Sequence, residues 1–436
     1  MDAVTDIAGI CSSLAAGGYS VRFRGFSAID LYLGLPALPF LRIDTDADIA
    51  ELARFIENLR FPGVEIADAA VDFAGGTLFF RCLDRDEQGG SGQKADDYSF
   101  PLLSFSYDWQ TRRFLDPLGL YPLLRKLRDG KKDSRKGTGN APLSGVSPET
   151  VLAPAPVYHD NEPCSSGARY RLIMDTSLAF ARYDFGAETP RYMAALSSAP
   201  VFQTPLNSRE NSSPGALPGP ELERAFLSSL LVSPRPDRGL EFLKRTGFLQ
   251  ERWPELACYD EVDHSKEFHP EGNVWNHTLE TFQHRKPGSS GAFDLRLSLG
   301  LLLHDAGKPV SAAQGNHRFS GHAELGARAA ARFLERLEFE PPLVEDIFYL
   351  VKNHMLPAAL KRLPLVRTGE IMASPLFPTL MELYRCDESS SFKGLEGYYE
   401  NSAAYQSYLR NIKNPYRSAD GKKIGLQNQR ARYRAR

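Results

Sequence analysis

The 436-residue sequence has few of the features that stabilise secreted or membrane-spanning proteins. Its five cysteines are odd in number and scattered, and no two form a Cys-x-x-Cys pair. No apolar run approaches the roughly 18 residues of a membrane-spanning helix, and the N-terminus carries Asp2 and Asp6 instead of a basic region. These absences argue against a disulfide framework and predict a cytoplasmic protein with no membrane contact.

The sequence also has little net charge, −2 at pH 7, so its overall charge does not indicate a nucleic-acid partner. The basic residues are nevertheless unevenly placed. Residues 125–136 hold seven Lys and Arg against two Asp, and residues 413–436 hold eight against Asp420 alone. Either run could follow an RNA backbone, with Tyr416 and Tyr433 as stacking faces. A solvated loop and an unstructured tail are the simpler interpretation.

Histidine, by contrast, is concentrated in one region. Eight of the nine histidines lie between positions 264 and 354. Near the middle of this region, the apolar run LGLLLHDAGKP (299–309) presents His304 and Asp305 side by side and then reaches Gly-Lys-Pro, which predicts a helix end. A buried imidazole beside a buried carboxylate needs a partner, and a divalent cation suits both groups.

Further candidate ligands lie on both sides of the His304-Asp305 pair. They are His277 in NVWNHTLE, His322 in FSGHAELG, His354 in VKNHM and Asp387 in YRCDES. The long gaps between them predict side chains that converge from successive helices of a bundle, unlike the short loops of a zinc finger. The remaining histidines of the region are assigned to the surface (His284, His317) or to the segment before the first ligand helix (His264, His269).

The order His, His-Asp, His, His, Asp resembles the HD superfamily of metal-dependent phosphohydrolases in its two-metal form. The resemblance implies a mainly α-helical domain with two divalent ions, bridged by Asp305, whose identity (Mn, Fe, Ni, Co, Zn or Mg) stays open. The implied metal ligands are His277, His304, Asp305, His322, His354 and Asp387. The implied reaction is the attack of an activated water on a nucleotide or RNA-end phosphoester, with Asp305 and Lys308 as catalytic residues.

Two charged residues beside the ligands each have two interpretations. Lys308 is a phosphate contact by similarity, but a cation after a helix end also complements the helix dipole. Glu324 either orients the imidazole of His322 through a hydrogen bond or is an acidic residue at a helix N-terminus.

The first 130 residues predict a small α/β head. Strands are expected near residues 19–25, 39–44, 100–107 and 113–115, with a hairpin around Gly75-Gly76 and helices at 7–17 and 46–59. The segments DLYLG (30–34), TDA (45–47) and FLDP (114–117) resemble the framework of the nucleotidyltransferase head of tRNA CCA-adding and poly(A) polymerase enzymes.

The catalytic positions of that family do not match this sequence. The second of the family's paired glycines falls on Phe26, and its two metal-binding carboxylates fall on Phe40 and Arg42. An aromatic ring and a cation cannot hold Mg²⁺ against a triphosphate, which predicts an inactive head. Asp44 and Asp46 supply carboxylates in another register, but the simpler interpretation is that they are solvated groups at a strand end.

The predicted organisation has four parts: the head (1–130), a Gly-, Pro- and Ser-rich linker with a neck-like segment (131–220), the helical HD domain (221–390) and a C-terminal extension with the basic tail (391–436). Three functions are open. The favoured one is a metal-dependent HD phosphohydrolase carried on an inactive head. The alternatives are RNA 3′-end nucleotide addition and a non-catalytic RNA-binding or regulatory role. The sequence predicts no oligomeric state.

Overall fold

A computed structural model of the protein describes residues 6–62, 67–83, 98–134, 151–154, 166–186, 189–204, 218–263, 272–316, 318–391, 394–414 and 416–423. The chain divides into two compact units, residues 1–254 with 287–293, and residues 255–286 with 294–436. The first contains a mixed α/β head and the second is helical. The fold class predicted from the sequence is therefore confirmed.

The first unit contains a six-stranded mixed sheet. Its strands are β1 (Arg22–Arg24), β2 (Phe40–Thr45), β3 (Ala69–Phe73), β4 (Gly76–Cys82), β5 (Ser106–Asp108) and β6 (Arg113–Leu115). In the order β3-β4-β2-β1-β5-β6, β2 and β4 are parallel and the other neighbouring pairs are antiparallel. β3 and β4 form the predicted hairpin, whose turn needs the positive φ of 104° at Gly75.

Helices surround this sheet and continue beyond it along the chain. They are α1 (Ile7–Ala16), α2 (Phe26–Leu33), α3 (Ile49–Phe55), α4 (Tyr121–Ser134), α5 (Ser166–Arg182), α6 (Thr189–Ser197), α7 (Pro200–Gln203), α8 (Pro220–Leu231), α9 (Pro236–Arg245) and α10 (Phe248–Arg252). Residues 125–134 of the first basic run belong to α4, so they are helical and the predicted loop is wrong for them.

Strand β2 has a different environment on each of its faces. Leu41 and Ile43 enter a core that also contains buried residues of α1 and α3. Phe40, Arg42 and Asp44 face the opposite side of the sheet, because successive side chains of a strand alternate between its faces. These three of the head positions identified from the sequence therefore share one surface of the sheet.

Helix α5 anchors the later helices of the first unit. α9 packs against α5 at Gly239, where a Cβ atom would lie 2.8 Å from the carbonyl oxygen of Ser177, so only glycine fits there. Residues 221–254 belong to the first unit, whereas the sequence placed them in the predicted HD domain of 221–390. The sequence pattern indicates that α8, α9 and α10 are helices but not which helix they pack against.

The helices of the second unit begin after α11 (Pro254–Ala257), which spans the boundary in sequence. They are α12 (Val274–Gln283), α13 (Leu295–Leu303), α14 (Gly307–Ala313), α15 (His322–Arg336), α16 (Pro341–Asn353), α17 (Leu365–Met372), α18 (Phe377–Ser389) and α19 (Glu396–Lys413). Helix α13 packs against α12, α16 and α18, and its leucines from Leu297 onward are buried. Nowhere in the described ranges is a helix both long and apolar enough to cross a membrane.

The segment after α13 is held by a close backbone contact. α13 ends at Leu303 as predicted, but residues 304–306 form the turn and the Gly-Lys-Pro sequence is the start of α14. Proline is tolerated here because the backbone N–H groups of a helix's first turn form no hydrogen bonds within the helix, so none is lost. A Cβ atom on Gly307 would lie 1.9 Å from the carbonyl oxygen of His322, so glycine is required for α14 to reach α15.

Candidate metal centre

The six candidate ligands of the second unit line one cavity of about 250 Å³. They lie at helix ends: His277 in the first turn of α12, His304 and Asp305 after α13, His322 at the start of α15, His354 after α16, and Asp387 in the last turn of α18. Four helices and the turn after α13 therefore supply side chains to one place, which is the convergence that the long sequence gaps predicted.

Asp305 lies at the centre of this cluster. Its Oδ2 atom is 3.3 Å from Nε2 of His304 and 3.8 Å from Nε2 of His277. Its Oδ1 atom is 3.6 Å from Nε2 of His322 and 4.0 Å from Nε2 of His354. The two oxygens of one carboxylate thus face two different pairs of imidazoles, and each set of three ligand atoms lies within 4.8 Å of one another.

Asp387 adds a fourth group to one of the two clusters. Its Oδ1 atom is 3.1 Å from Nε2 of His277, which is itself 3.3 Å from Nε2 of His304. The first cluster therefore has four potential ligands, and the second, formed by Asp305, His322 and His354, has three. Sites with few protein ligands leave coordination positions for water or substrate, which is typical of catalytic centres.

Backbone carbonyls fix the tautomer of three of the histidines. The Nδ1 atoms of His304, His322 and His354 lie 2.8, 2.9 and 2.7 Å from the carbonyl oxygens three residues earlier in the chain. A carbonyl oxygen only accepts, so each Nδ1 must carry the hydrogen and each Nε2 must carry a lone pair. Hydrogen bonds of this kind are typical of metal-binding histidines.

Ser390 serves the fourth histidine in the same way. Its hydroxyl donates to the carbonyl oxygen of Asp387 at 2.6 Å and lies 3.3 Å from Nδ1 of His277. Since the hydroxyl proton is used, the oxygen is left to accept from Nδ1–H. Nε2 of His277 then presents its lone pair to the cavity, as in the other three histidines.

The lone pairs are held close enough to need a cation. Nε2 of His322 and Nε2 of His354 are 3.0 Å apart, and neither carries a hydrogen when Nδ1 donates to a carbonyl. Two lone pairs at this separation repel each other. A cation coordinated by both nitrogens would remove this repulsion. The donor set of nitrogens and carboxylate oxygens therefore fits a divalent metal ion.

The charge states also fit a ligand set at neutral pH. Burial, assisted by His304, lowers the pKa of His354 to about 4, and burial lowers the pKa of His322. Burial raises the pKa of Asp305, but Lys308 and His304 outweigh it and hold that pKa well below its usual range. Burial raises the pKa of Asp387 as well, but the neighbouring His277 and His304 outweigh it, so this pKa is also lowered. Neutral imidazoles beside ionised carboxylates are the forms that bind metal.

We expect the metal-free second unit to lose stability as the pH falls from 6.5 towards 4. Folded His354 stays neutral to about pH 4, whereas the unfolded residue protonates near 6.5, so the unfolded state binds more protons in this window. The loss from this residue alone is on the order of 3 kcal/mol. Urea unfolding of EDTA-treated protein, read from hydrogen exchange of peptides in 272–391, measures it. The His354→Asn variant should show a flatter dependence, and an equally steep one would contradict the assignment.

Beside the six candidate ligands, the cavity is lined by two cations, two apolar side chains, Ser391 and the carboxylate of Glu388. Nζ of Lys308 is 2.6 Å from Oδ2 of Asp305. Since Lys308 lies in the first turn of α14, its interpretation as a cation at a helix C-terminus is wrong. The guanidinium of Arg318 has no partner among the described side chains, and beside it lie half-buried Phe319 and exposed Met355. The rim can therefore hold an anion.

The sequence did not reveal the groups that orient the imidazoles. Ser390 lies one helical turn after Asp387, so helix periodicity could have indicated it. The carbonyl of Phe319 orients His322, while Glu324 is exposed, so Glu324 is not that hydrogen-bond partner. His284 lies outside the cavity, beside Glu280. His264, His269 and His317 lie outside the described residues.

In the head, the positions that replace the family's carboxylates are engaged in other contacts. The Arg42 guanidinium pairs with Asp175 at 3.1 Å and lies 4.6 Å over the ring of Phe40. Asp44 is buried and pairs with Arg24 at 2.7 Å, so its interpretation as a solvated carboxylate is wrong. Asp46 accepts a hydrogen bond of 2.6 Å from the backbone N–H of Ser20.

A family model for the HD domain matches part of the second unit. Residues 274–383 match the HD domain, a range that contains every candidate ligand except Asp387. The HD match agrees with the His/Asp cluster, whose donor set suits a divalent metal ion. The resemblance to HD domains predicted from the sequence is confirmed.

Curated proteins that match part of the chain include tRNA nucleotidyltransferases. The CC-adding tRNA nucleotidyltransferase of Thermus thermophilus is 35% identical over 189 residues, which cover 42% of this chain and 42% of that protein. The Multifunctional CCA protein of Halorhodospira halophila is 34% identical over 139 residues, covering 31% and 32%. The match thus spans less than half the length of each relative. The relationship to CCA-adding enzymes that the sequence predicted is confirmed.

Solved structures of this group also align with the chain. The CCA-adding enzyme of Bacillus stearothermophilus in complex with CTP aligns with a TM-score of 0.41 at 13% identity, covering 98% of this chain and 91% of that one.

Proposed function

We propose that this protein is a two-metal phosphohydrolase that acts on a nucleotide or RNA-end phosphoester, and that its nucleotidyltransferase-like head is catalytically inactive. The observation that carries the proposal is the position of Asp305, whose two carboxylate oxygens face two separate histidine pairs. Such a carboxylate can neutralise and space two cations at once. Divalent ions bound there supply a water of lowered pKa and offset the charge of the phosphoryl oxygens.

Each group of the site has a role that follows from its contacts. His277, His304 and Asp387 would hold one divalent ion together with Asp305, and His322 and His354 would hold another. Lys308 fixes the Asp305 carboxylate and presents its ammonium to a substrate phosphate. Arg318 binds a second anionic group of the substrate at the rim, and the ring of Phe319 offers a face for a nucleobase.

Nucleotide addition to an RNA 3′ end is the second candidate function, and the similarity to the Thermus enzyme favours it. The engaged head residues argue against it. Asp44 and Asp46, the carboxylates nearest the required positions, already hold Arg24 and the backbone of Ser20. An RNA-binding protein without turnover is the third candidate, and a turnover assay separates it from the first.

The experiment for the proposed function is a phosphoester panel combined with metal analysis. Nucleoside monophosphates, cyclic nucleotides and short RNAs with a terminal phosphate are offered to the metal-free protein after addition of Mn²⁺, Ni²⁺, Co²⁺, Zn²⁺ or Mg²⁺. We expect release of phosphate, or opening of the cyclic ester, that stops with EDTA. Bound metal without turnover on any substrate would favour the non-catalytic role.

We expect His354→Ala to lower the metal content from two ions per chain to one. His354 contacts only the Oδ1 side of Asp305, so the cluster of His277, His304 and Asp387 keeps its ligands. The ratio is measured by elemental analysis after dialysis. His284→Ala, which changes a histidine of the same unit outside the cavity, is the matched control and should keep two ions. Two ions in both variants would remove His354 from the ligand set.

A further inference from the structure

The last described part of the second unit carries many cations and almost no carboxylates. Residues 401–423 contain five Lys and Arg against Asp420 alone. The sequence favoured an unstructured tail for this region. That interpretation is wrong for residues 416–423, because α19 continues to Lys413 and the segment after it is ordered. The fold therefore fixes where these cations lie.

Two contacts hold the segment 416–423 at the end of α19. The side-chain amide of Asn411 donates to the carbonyl oxygen of Ala419 at 3.2 Å. Within the segment, Arg417 and Lys423 pair as an antiparallel bridge. Lys423 is therefore held close to the C-terminal turn of α19.

Helix α17 lies beside the same end of α19. The hydroxyl of Tyr408 donates to the carbonyl oxygen of Gly369 at 3.3 Å. Arg367 lies two residues before Gly369 on α17, and its side chain is exposed. Arg410 lies two residues after Tyr408 on α19, and it is exposed as well. Both helices therefore bring a cation to this part of the unit.

Four exposed cations of this region form no ion pair within the described part of the chain. They are Arg367, Arg410, Lys413 and Lys423, and we call them the basic surface. Arg410 and Lys413 are three residues apart, so they lie on one face of α19. Lys422 is not counted, because it pairs with Asp420 at 3.1 Å.

The basic surface keeps an excess of positive charge after its nearest carboxylate is counted. Glu370 lies one turn after Arg367 on α17 and offsets one of the four charges. An excess of three charges remains on a surface that is open to solvent. A partner with several negative charges at regular intervals would match it.

Tyr416 places an exposed aromatic ring beside these cations. The residue is 63% exposed, and its backbone N–H donates to Oδ1 of Asn414 at 2.9 Å. Cations that follow a phosphate backbone, together with a ring on which a base can stack, are the features that bind single-stranded nucleic acid.

The same region lacks the apolar face that a lipid surface would require. Amphipathic helices bind membranes by burying a continuous apolar face. In residues 401–413, all of which are described, Tyr405 and Tyr408 are buried and Ile412 is the one exposed large apolar side chain. The charge pattern therefore favours nucleic acid over lipid.

We propose that the basic surface binds the phosphate backbone of a single-stranded nucleic acid and that Tyr416 stacks on one of its bases. The partner is RNA or DNA, since both present the same phosphates and bases. This binding does not depend on hydrolysis in the histidine cavity, so it can be tested separately from the proposed function.

The test is fluorescence anisotropy of labelled 12-nucleotide RNA and DNA of one sequence, at several salt concentrations and with EDTA present to prevent turnover. The double variant Lys413→Gln, Lys423→Gln should bind at least about tenfold more weakly at low salt. Each phosphate contact on a single strand contributes about 0.7 to the slope of log affinity against log salt, so the slope should become shallower by about 1.4.

Variants of Tyr416 test the stacking contact separately from charge. Tyr416→Ala should bind at least about fivefold more weakly, because base stacking on an aromatic ring is lost, with no change in the salt slope. Tyr416→Phe keeps the ring and should bind as the wild type does. A merely structural role of the side chain would not give this combination.

The matched control changes two exposed arginines of another helix in the same unit. Arg328→Gln, Arg332→Gln removes the same number of unpaired charges from α15 and should leave affinity and salt slope unchanged. Circular dichroism checks that every variant keeps its helices. These comparisons separate a specific surface from the overall charge of the protein.

The two oligonucleotides and a vesicle assay identify the partner. Binding of both oligonucleotides supports a site that reads phosphates and bases, and tighter binding of RNA supports a site that also contacts the 2′-hydroxyl. No binding of either oligonucleotide, or equal affinity in the wild type and the Lys413→Gln, Lys423→Gln variant, would overturn the proposal. Binding only to phosphatidylserine vesicles would overturn it as well and assign the surface to lipid.

Discussion

Asp305→Ala should abolish metal binding and phosphohydrolase turnover while the first unit stays folded. No other described side chain reaches both histidine pairs. Loss of the Asp305 carboxylate would therefore remove one ligand from each ion, together with the negative charge between the two ions. Loss of a residue that merely orients a metal ligand costs about 10–100-fold in affinity or activity, and loss of a shared ligand should exceed that range. Elemental analysis and the phosphoester assay give the two readouts.

Two further variants make the Asp305 result specific. Asp305→Asn keeps the shape of the side chain but not its charge, and it should fail in the same way as alanine. Asp346→Asn changes a carboxylate of the same unit that pairs with Arg296 away from the cavity, and it should keep both metal and activity. Unchanged metal content and turnover in Asp305→Ala would show that the bridging residue has been misassigned.

The purified protein should add neither CMP nor AMP to an RNA 3′ end. In the register that the sequence resemblance gives, Phe40 and Arg42 stand where the family has carboxylates, and Phe26 stands where it has a glycine. Nucleotidyl transfer depends on cations that offset the charge of the triphosphate, and electrostatic stabilisation of this kind is usually the largest catalytic term. In this head, the surface beside Arg42 carries arginines instead.

The assay is incorporation of labelled CMP and ATP-derived AMP into tRNA that lacks its terminal bases, with Mg²⁺ and with Mn²⁺. The Asp305→Ala variant is assayed in parallel, so that removal of added nucleotides by the second unit cannot hide addition. An active CCA-adding enzyme on the same tRNA is the positive control. Incorporation that disappears in an Asp44→Ala, Asp46→Ala double variant would contradict the account and move the active site to the head.

The sequence was most informative where chemistry and periodicity agree. The leucine run before His304 predicted a buried helix with its end at the His-Asp pair, and α13 ends at Leu303. The glycine pair at 75 and 76 predicted the β3-β4 hairpin. The order of the six candidate ligands predicted that they converge, and they line one cavity. In each case the prediction came from the short stretch of sequence around the residue concerned.

The sequence was least informative where a contact depends on tertiary packing. The carbonyls that fix the imidazole tautomers are backbone groups, so no residue type marks them. Asp44 was interpreted as solvated because its partner Arg24 lies on a neighbouring strand, and the strand register is not visible in the sequence. The packing of α9 on α5 at Gly239, within the first unit, is another contact of this kind.

The most direct test of the two-metal account is anomalous X-ray scattering from crystals grown with Mn²⁺. The account predicts two peaks in the histidine cavity on opposite sides of the Asp305 carboxylate. One peak should lie within bonding distance of His277, His304 and Asp387, and the other within bonding distance of His322 and His354. An empty cavity under saturating Mn²⁺, or ions that bind without contacting Asp305, would contradict the account.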